Sequence, residues 1–256
     1  MTPLVVTSRD NAWVKLLRQL AQEPGAYRKL GKVWIEGDHL CRAALARGRE
    51  PQAVVYTPKA QAMVDAWGLP PSVKPVQLTN ALMHTVSGLE SSASVGFVLD
   101  LELAQELRPN APTVVLDRLQ DPGNAGSILR TAAAMGFEQI VAIKGSVGLW
   151  SPKVVRSGMG AHFALHMVEA LDEAALSTLQ VPLLATSSHQ GDWVHQAKLP
   201  WPCAWVLGHE GQGVSAGLLA KAQHTVRIAQ PGGEESLNVA AAAAICLHAS
   251  AVSSGL

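Results

Sequence analysis

The sequence predicts an α/β chain in two parts: a small α/β domain over residues 1–100, a linker over 101–112 and a larger α/β domain over 113–256. Three observations predict it. Short runs of Val, Ile and Leu alternate with helix-like stretches before and after residue 100. Between the two series lies a polar, charged segment ending in Arg108-Pro109-Asn110-Ala111-Pro112. The chain has 256 residues, 48% of them hydrophobic, enough for one large or two small domains with a sizeable core.

The elements follow in order. Asn11 is placed to cap a helix through Leu20, with Trp13, Leu16, Leu17 and Leu20 on one face. Glu23-Pro24-Gly25 breaks it. Val33-Trp34-Ile35 reads as a strand, and Asp38 as the cap of a helix ending at Gly48. A strand over Ala53–Tyr56, a helix over Pro58–Trp67 and the loop Leu69-Pro70-Pro71 come next. Val76–Leu78 is a strand, Thr79 caps another helix, and Val95–Leu99 closes the first series.

The second series opens with the strand Thr113–Leu116, after which Asn124 reads as the cap of a helix over Ala125–Met135. Ser151-Pro152-Lys153 starts a helix with proline at its first position. His162–Val168 alternates like a strand, which puts His162 and His166 about 13 Å apart and argues against a metal site. Leu183–Ala185 and Ala204–Leu207 are further strands. The Gly-rich loop Pro231-Gly232-Gly233-Glu234-Glu235 leads to Ser236 and Asn238, good caps for the apolar helix Val239–His248. Such a helix opening presents unpaired N–H groups to a ligand's polar atoms.

Charge and cysteine usage narrow the class. Lysine plus arginine equals aspartate plus glutamate, but residues 1–50 carry nine basic side chains against five acidic ones. That asymmetry fits a chain that holds a polyanion at one end. Cys41, Cys203 and Cys246 are far apart and odd in number, so neither a disulfide framework nor a zinc ribbon is supported. Reduced cysteines, no signal-peptide core and no apolar run of membrane-spanning length give a cytoplasmic expectation, with no membrane and no metal.

Three stretches could carry chemistry. Arg130 is the only charge on a helix of small residues (Gly126, Ser127, Thr131, Ala132), and it either snorkels to solvent or meets a phosphate or carboxylate. Trp193, Trp201 and Trp205 form an aromatic patch, read as core or subunit contact rather than base stacking. Gly211-x-Gly213-x-x-Ala216 satisfies a dinucleotide-binding pattern, but only about forty residues remain for the βα units that fold needs, and Glu210 sits where a pyrophosphate would approach. The alternative is a backbone loop around a neutral or cationic cofactor, with Glu210 as a working carboxylate.

Taken together, Asp121-Pro122-Gly123-Asn124-Ala125-Gly126-Ser127-Ile128-Leu129-Arg130-Thr131-Ala132, then Leu207-Gly208-His209-Glu210-Gly211-Gln212-Gly213, then Ser236-Leu237-Asn238-Val239-Ala240 resemble the SpoU (TrmH-type) family of RNA ribose 2′-O-methyltransferases of the SPOUT superfamily. Ser8-Arg9-Asp10-Asn11 and Ile35-Glu36-Gly37 resemble the small substrate-binding domain of its ribosomal-RNA members. The chain departs from the family pattern at Ala229-Gln230, and in the acidic Glu234 and Glu235.

The resemblance implies a mostly parallel sheet flanked by helices with a deep trefoil knot, a homodimer, and S-adenosylmethionine as cofactor. Thr186, Leu207, Gly208, Gly213, Ile228 and Leu237 are then the cofactor contacts, and Asn124, Arg130, Glu210, Ser236 and Asn238 the catalytic set. Arg9, Lys15, Arg28, Lys29, Lys153 and Arg156 are the RNA-binding candidates. The implied reaction is methylation of a ribose 2′-hydroxyl in ribosomal RNA, with transfer RNA or a non-catalytic RNA-binding protein as alternatives. The family role for Arg130 is general base, but a guanidinium keeps its proton. Holding phosphate and ribose in line, with Glu210 fixing the fork, suits its chemistry better.

Overall fold

The computed structural model describes residues 2–87, 91–103, 105–187, 190–232 and 236–255. Gly233, Glu234 and Glu235 of the Gly-rich loop lie outside the described residues. The chain divides into two compact units, 1–103 with 150–163, and 104–149 with 164–256.

The first unit runs β1 (Leu4–Val6), α1 (Ala12–Gln22), α2 (Ala26–Leu30), β2 (Lys32–Glu36), α3 (Asp38–Ala46), β3 (Ala53–Tyr56), α4 (Gln61–Ala66), β4 (Lys74–Leu78), α5 (Asn80–Val86) and β5 (Val95–Asp100). Its sheet has the order β1-β4-β3-β5-β2. The first three strands are parallel to each other, and β5 runs antiparallel to both β3 and β2. The central strands β3 and β5 read as nearly unbroken apolar runs because both of their faces are covered. Ala53 and Val55 join Val14, Leu17 and Met83 on one face, whereas Val54 and Tyr56 join Leu40, Cys41 and Val64 on the other.

Local signals set several boundaries. Asn11 caps α1 by accepting from Trp13 N, and Thr79 caps α5 by accepting from Leu82 N. At α3 the cap is Gly37 rather than Asp38, because the backbone turns there at φ 103°, which glycine alone adopts without strain. Asp38 is the first helical residue, and its carboxylate accepts from Arg42 Nε at 2.7 Å. The expected helix over Pro58–Trp67 opens as a 3-10 turn (Pro58–Ala60) before α4. Sequence reasoning missed β1 and α2.

The second unit runs β6 (Thr113–Leu116), α6 (Pro122–Ala134), β7 (Gln139–Ile143), β8 (His166–Leu171), β9 (Leu183–Thr186), β10 (Asp192–Trp193), β11 (Ala204–Leu207), α8 (Ala216–Lys221), β12 (His224–Arg227) and α9 (Val239–Ser253). The intervening helix α7 (Pro152–Gly158) belongs to the first unit. Its Val155, with Phe163 just beyond, packs among Val33, Ile35 and Cys41, which draws 150–163 out of the larger domain expected over 113–256. His162 sits in a 3-10 turn (Ala161–Ala164) rather than in a strand, and β8 starts only at His166.

The seven strands of this unit are parallel, in the order β10-β12-β9-β11-β6-β7-β8. The chain builds β6, β7 and β8 outward, returns to β9, and then inserts β11 between β9 and β6. Adjacent β6 and β11 therefore lead away from a topological switch point, where parallel sheets open a crevice at the carboxyl ends of the strands. Val115, Ala185, Val206, Val214 and Leu218 fill the face under α8. On the other face buried Trp205 donates from Nε1 to Ser250 Oγ of α9 at 2.8 Å, which anchors the C-terminal helix to the central strand.

The three tryptophans expected as one patch have separate surroundings. Trp205 is core, Trp201 meets Phe137 edge-on at 5.1 Å, and Trp193 lies under the Arg227 guanidinium at 3.8 Å.

Candidate active site

The site forms where the turn after β6 meets the loop after β11. Leu116 and Leu207 are register partners at the ends of these strands, and Asp117 N donates to Leu207 O at 2.9 Å. The two connections leaving these strands thus run side by side.

The cap of α6 is Asp121, not Asn124. Its carboxylate accepts from Asn124 N at 2.7 Å, and Pro122 fills the first helical position, where no N–H is needed. Asn124 then lies in the first turn with its side-chain amide free for other partners, and it bridges two distant segments. Its Nδ2 donates to Glu210 Oε1 at 3.2 Å, and its Oδ1 accepts from Asn238 Nδ2 at 3.0 Å. Asn238 caps α9, its Oδ1 accepting from Ala240 N at 2.9 Å and Ala241 N at 3.3 Å.

The polarity of this chain is determined at both ends. Helix N–H groups only donate, so Asn238 must face them with oxygen and turn its amide nitrogen towards Asn124. An ionised Glu210 only accepts, so Asn124 must offer it nitrogen. Both asparagines are held in one orientation, and an aspartate at either position would set oxygen against oxygen.

Glu210 also accepts from Asp121 N at 3.0 Å and Gln120 N at 3.2 Å. Partial burial alone would raise its pKa, but these donors together with its own backbone N–H outweigh burial and lower it. Glu210 is an anion near neutral pH with its oxygens occupied by the α6 entry. Within one chain no Arg130 contact appears among the Glu210 hydrogen bonds of the described residues; Arg130 lies six residues beyond Asn124, roughly 120° around the helix, and is exposed.

The expected cofactor residues gather at the same carboxyl edge. Thr186 ends β9 and pairs with Val226, while Leu207 ends β11 one register step beyond the Val206–Ala185 pair, and Ile228 comes directly after β12. Gly208 is packed so closely that a Cβ there would lie 2.1 Å from Gly213 C and 2.2 Å from Val214 N. The loop closes on itself through His209 N–Gly213 O at 3.1 Å and Gly213 N–His209 O at 2.8 Å. Ser236 and Leu237 are exposed immediately before the α9 cap.

Residues 111–248 match the family described as the SpoU rRNA Methylase family. The chain belongs to this family. It is an RNA methyltransferase with S-adenosylmethionine as its methyl donor. It is 36% identical to an uncharacterized tRNA/rRNA methyltransferase of Synechocystis sp. over 95% of this chain and 92% of that one. It is 28% identical to the 23S rRNA (guanosine(2553)-2′-O)-methyltransferase RlmP of Bacillus subtilis over 84% and 86%. The AdoMet-bound rRNA methyltransferase from Sinorhizobium meliloti superposes with a TM-score of 0.84 at 26% identity, covering 96% of each chain.

The carboxyl edge of this SpoU-family chain fits such a cofactor. Gln230 Oε1, two residues past Ile228, is buried without a hydrogen-bond partner among the described residues. It is an acceptor that an amine or hydroxyl of a nucleoside would satisfy. An open concavity of about 630 Å³ near Arg108, Glu138 and His166 sits instead by the amino ends of β6, β7 and β8, away from this chemistry.

All six RNA-binding candidates fall in the first unit. Arg9, Lys15, Arg28, Lys29 and Lys153 are exposed, and Arg156 is half-buried. Sequence reasoning missed Asp117, Arg118 and Gln120, which join the two loops. Their one visible signal was a pair of opposite charges directly after a buried strand.

Proposed function

We propose that this protein methylates a ribose 2′-hydroxyl in ribosomal RNA. The observation that carries the reading is the polarised chain α9 N–H–Asn238–Asn124–Glu210, which joins all three family motifs beside the cofactor edge. The similarity to a 23S rRNA 2′-O-methyltransferase supports ribosomal RNA as substrate.

Bound at the ends of β9, β11 and β12, S-adenosylmethionine supplies an electrophilic methyl group. Thr186, Leu207, Gly208, Gly213, Ile228 and Leu237 line its place. Asn124, Asn238 and Glu210 hold the α6 entry and the α9 opening in one geometry, so that the acceptor hydroxyl meets a preformed frame. Glu210, with a lowered pKa and occupied oxygens, is not the proton acceptor. Arg130 stays protonated, and its part is to hold an RNA phosphate with the ribose in line. Ser236 orients the hydroxyl. The basic residues of the first unit hold the rest of the RNA.

A homodimer completes the site. The small residues Gly123, Ser127 and Ala134 form an exposed stripe on α6 together with Arg130, and α9 exposes Ile245 (40%) and Val252 (59%). Pairing these faces would cover the apolar residues and carry Arg130 to the partner's site. The late insertion of β11 between β9 and β6 supports a knotted path for the segment beyond it.

Calorimetric titration with S-adenosylmethionine and with its demethylated product tests the reading, with binding near one per chain as the expected result. Arg130→Ala should abolish methyl transfer to unmodified ribosomal RNA while leaving cofactor affinity nearly intact. Absence of binding with and without RNA, or parallel loss of both properties in Arg130→Ala, would overturn the assignment.

A further inference from the structure

We infer that Arg118, acting with Asp117, is the positioning residue that sets the loop 208–215 against the β6–α6 turn. The inference deepens the proposed function, since that loop carries Glu210, Gly208 and Gly213.

Arg118 has φ 56°, a left-handed conformation that a bulky side chain rarely adopts and that persists where the surroundings over-determine it. The conformation has a geometric consequence. Successive residues of an extended chain point to opposite sides. The left-handed turn instead folds Arg118 back onto the carboxylate of its own neighbour. Nε reaches Asp117 Oδ1 at 2.8 Å and Nη2 reaches Oδ2 at 3.3 Å, a two-pronged contact. Asp117 is 1% exposed and needs that partner.

The pair reaches across to the second loop at two points. Asp117 Oδ2 accepts from Ser215 N at 2.7 Å, at the cap of α8, and Arg118 Nη1 donates to Gln212 Oε1 at 3.2 Å. Between Leu207 and Ser215 the loop is already a small closed ring through the His209–Gly213 bridge. Holding Gln212 and Ser215 therefore holds the ring as one body. Glu210, on the same ring, then meets the N–H groups of Gln120 and Asp121, which belong to the turn that Arg118 itself opens. Gln120 is tied back in turn by Nε2 to Arg118 O at 2.9 Å. Glu210 is exposed and its bonds compete with water, whereas the Asp117 end of the tie is buried.

The test measures cofactor Kd and transfer of labelled methyl from S-adenosylmethionine to ribosomal RNA transcribed in vitro. Arg118→Gly relieves the backbone strain while removing the fork, and Gln212→Ala removes only the exposed third contact with no demand on the core. Arg118→Gly should lower kcat about tenfold and raise the cofactor Kd severalfold, with KM for RNA within about twofold. Gln212→Ala should move the same two quantities in the same direction, by about threefold. Millimolar guanidinium ion should restore part of the Arg118→Gly activity and none of the Gln212→Ala loss, which separates a fork-dependent role from loss of folded protein.

Unchanged kcat and Kd in both variants would overturn the inference. So would a wild-type Gln212→Ala together with an Arg118→Gly that guanidinium does not rescue. Glu210→Gln, assayed alongside, separates the two readings. If it is fully active while Arg118→Gly is impaired, the role given to Glu210 fails and the loop-positioning role stands. If it is impaired while Arg118→Gly is not, only the Arg118 inference fails.

Discussion

Asn124→Asp changes one atom group in the middle of the polarised chain. The Oδ1 acceptor for Asn238 is retained, but the Nδ2 donor to Glu210 becomes a second carboxylate oxygen beside Oε1, where the wild-type contact is 3.2 Å. A hydrogen bond to a charged group is worth about 1.5–3 kcal/mol when shielded, and an exposed one such as this about 1 kcal/mol. Repulsion between two carboxylates about 4 Å apart in a water-like medium adds about 1 kcal/mol. The variant should lose about 2 kcal/mol of site organisation, a factor of about 30. The expected readout is a fall of that size in kcat/KM at pH 8, with folding retained. Like charges raise each other's pKa, so one proton enters the pair as pH falls and the repulsion is relieved. A repulsion of about 1 kcal/mol raises an ordinary aspartate, about 3.9, by less than one unit, so the gap to the wild type should stay constant from about pH 8 to pH 6 and narrow only as pH falls through about 5 towards 4. Asn124→Ala, which loses both contacts without adding charge, should show a deficit of similar size that does not change with pH. Wild-type activity in Asn124→Asp, or a deficit equally large at every pH, would refute the reasoning.

Four further outcomes are expected. Gly208→Ala drives a Cβ into the backbone of Gly213 and Val214, so calorimetry should show cofactor affinity reduced at least about tenfold, and unaltered affinity would mean that the loop does not serve the cofactor. Burial raises the Cys41 thiol and pushes Cys203 to about 11 and Cys246 to about 12, so a thiol reagent at pH 7.5 should label none of the three before unfolding and all three in denaturant. Glu210 has a lowered pKa in the folded state against about 4.3 unfolded, so its contribution is present above about pH 4.3 and lost as pH falls through the folded value. Urea midpoints of the wild type and Glu210→Gln should accordingly differ at pH 7 and converge once pH falls below the folded value. Trp205→Phe removes the bond to Ser250 and leaves a buried gap, so it should cost about 2–3 kcal/mol and lower Tm by about 4–10 °C in a thermal melt.

Much of the fold was legible because its signals are short-range. Asn11 and Thr79 cap the helices they precede, and Asn238 caps α9, because a cap needs only its own side chain and the next two or three N–H groups. Ala53–Tyr56 and Ala204–Leu207 read as strands because a strand covered on both faces is apolar at every position. β1 escaped because three residues with exposed Leu4 and Val5 show no usable period, and α2 because its five residues come straight after a Pro-Gly break.

The candidate site divides in the same way. Its residue types stand in the three motifs, and the sequence alone singles out Asn124, Glu210 and the capping Asn238. Asn124 reads as a cap from the sequence because Asp121 and Asn124 are equally good candidates locally. Pro122 at the first helical position and the bond from Asn124 N to the Asp121 carboxylate settle which one serves. Only the tertiary structure decided what the released amide does, since Glu210 and Asn238 lie 86 and 114 residues away. Inserting β11 beside β6 brings Glu210 under the α6 entry. Packing α9 against Trp205 and α6 brings its opening to the same place. A cap or an apolar run is settled within a few residues by backbone geometry, whereas a contact between loops is settled by which strands are neighbours, and no local pattern in the chain records that.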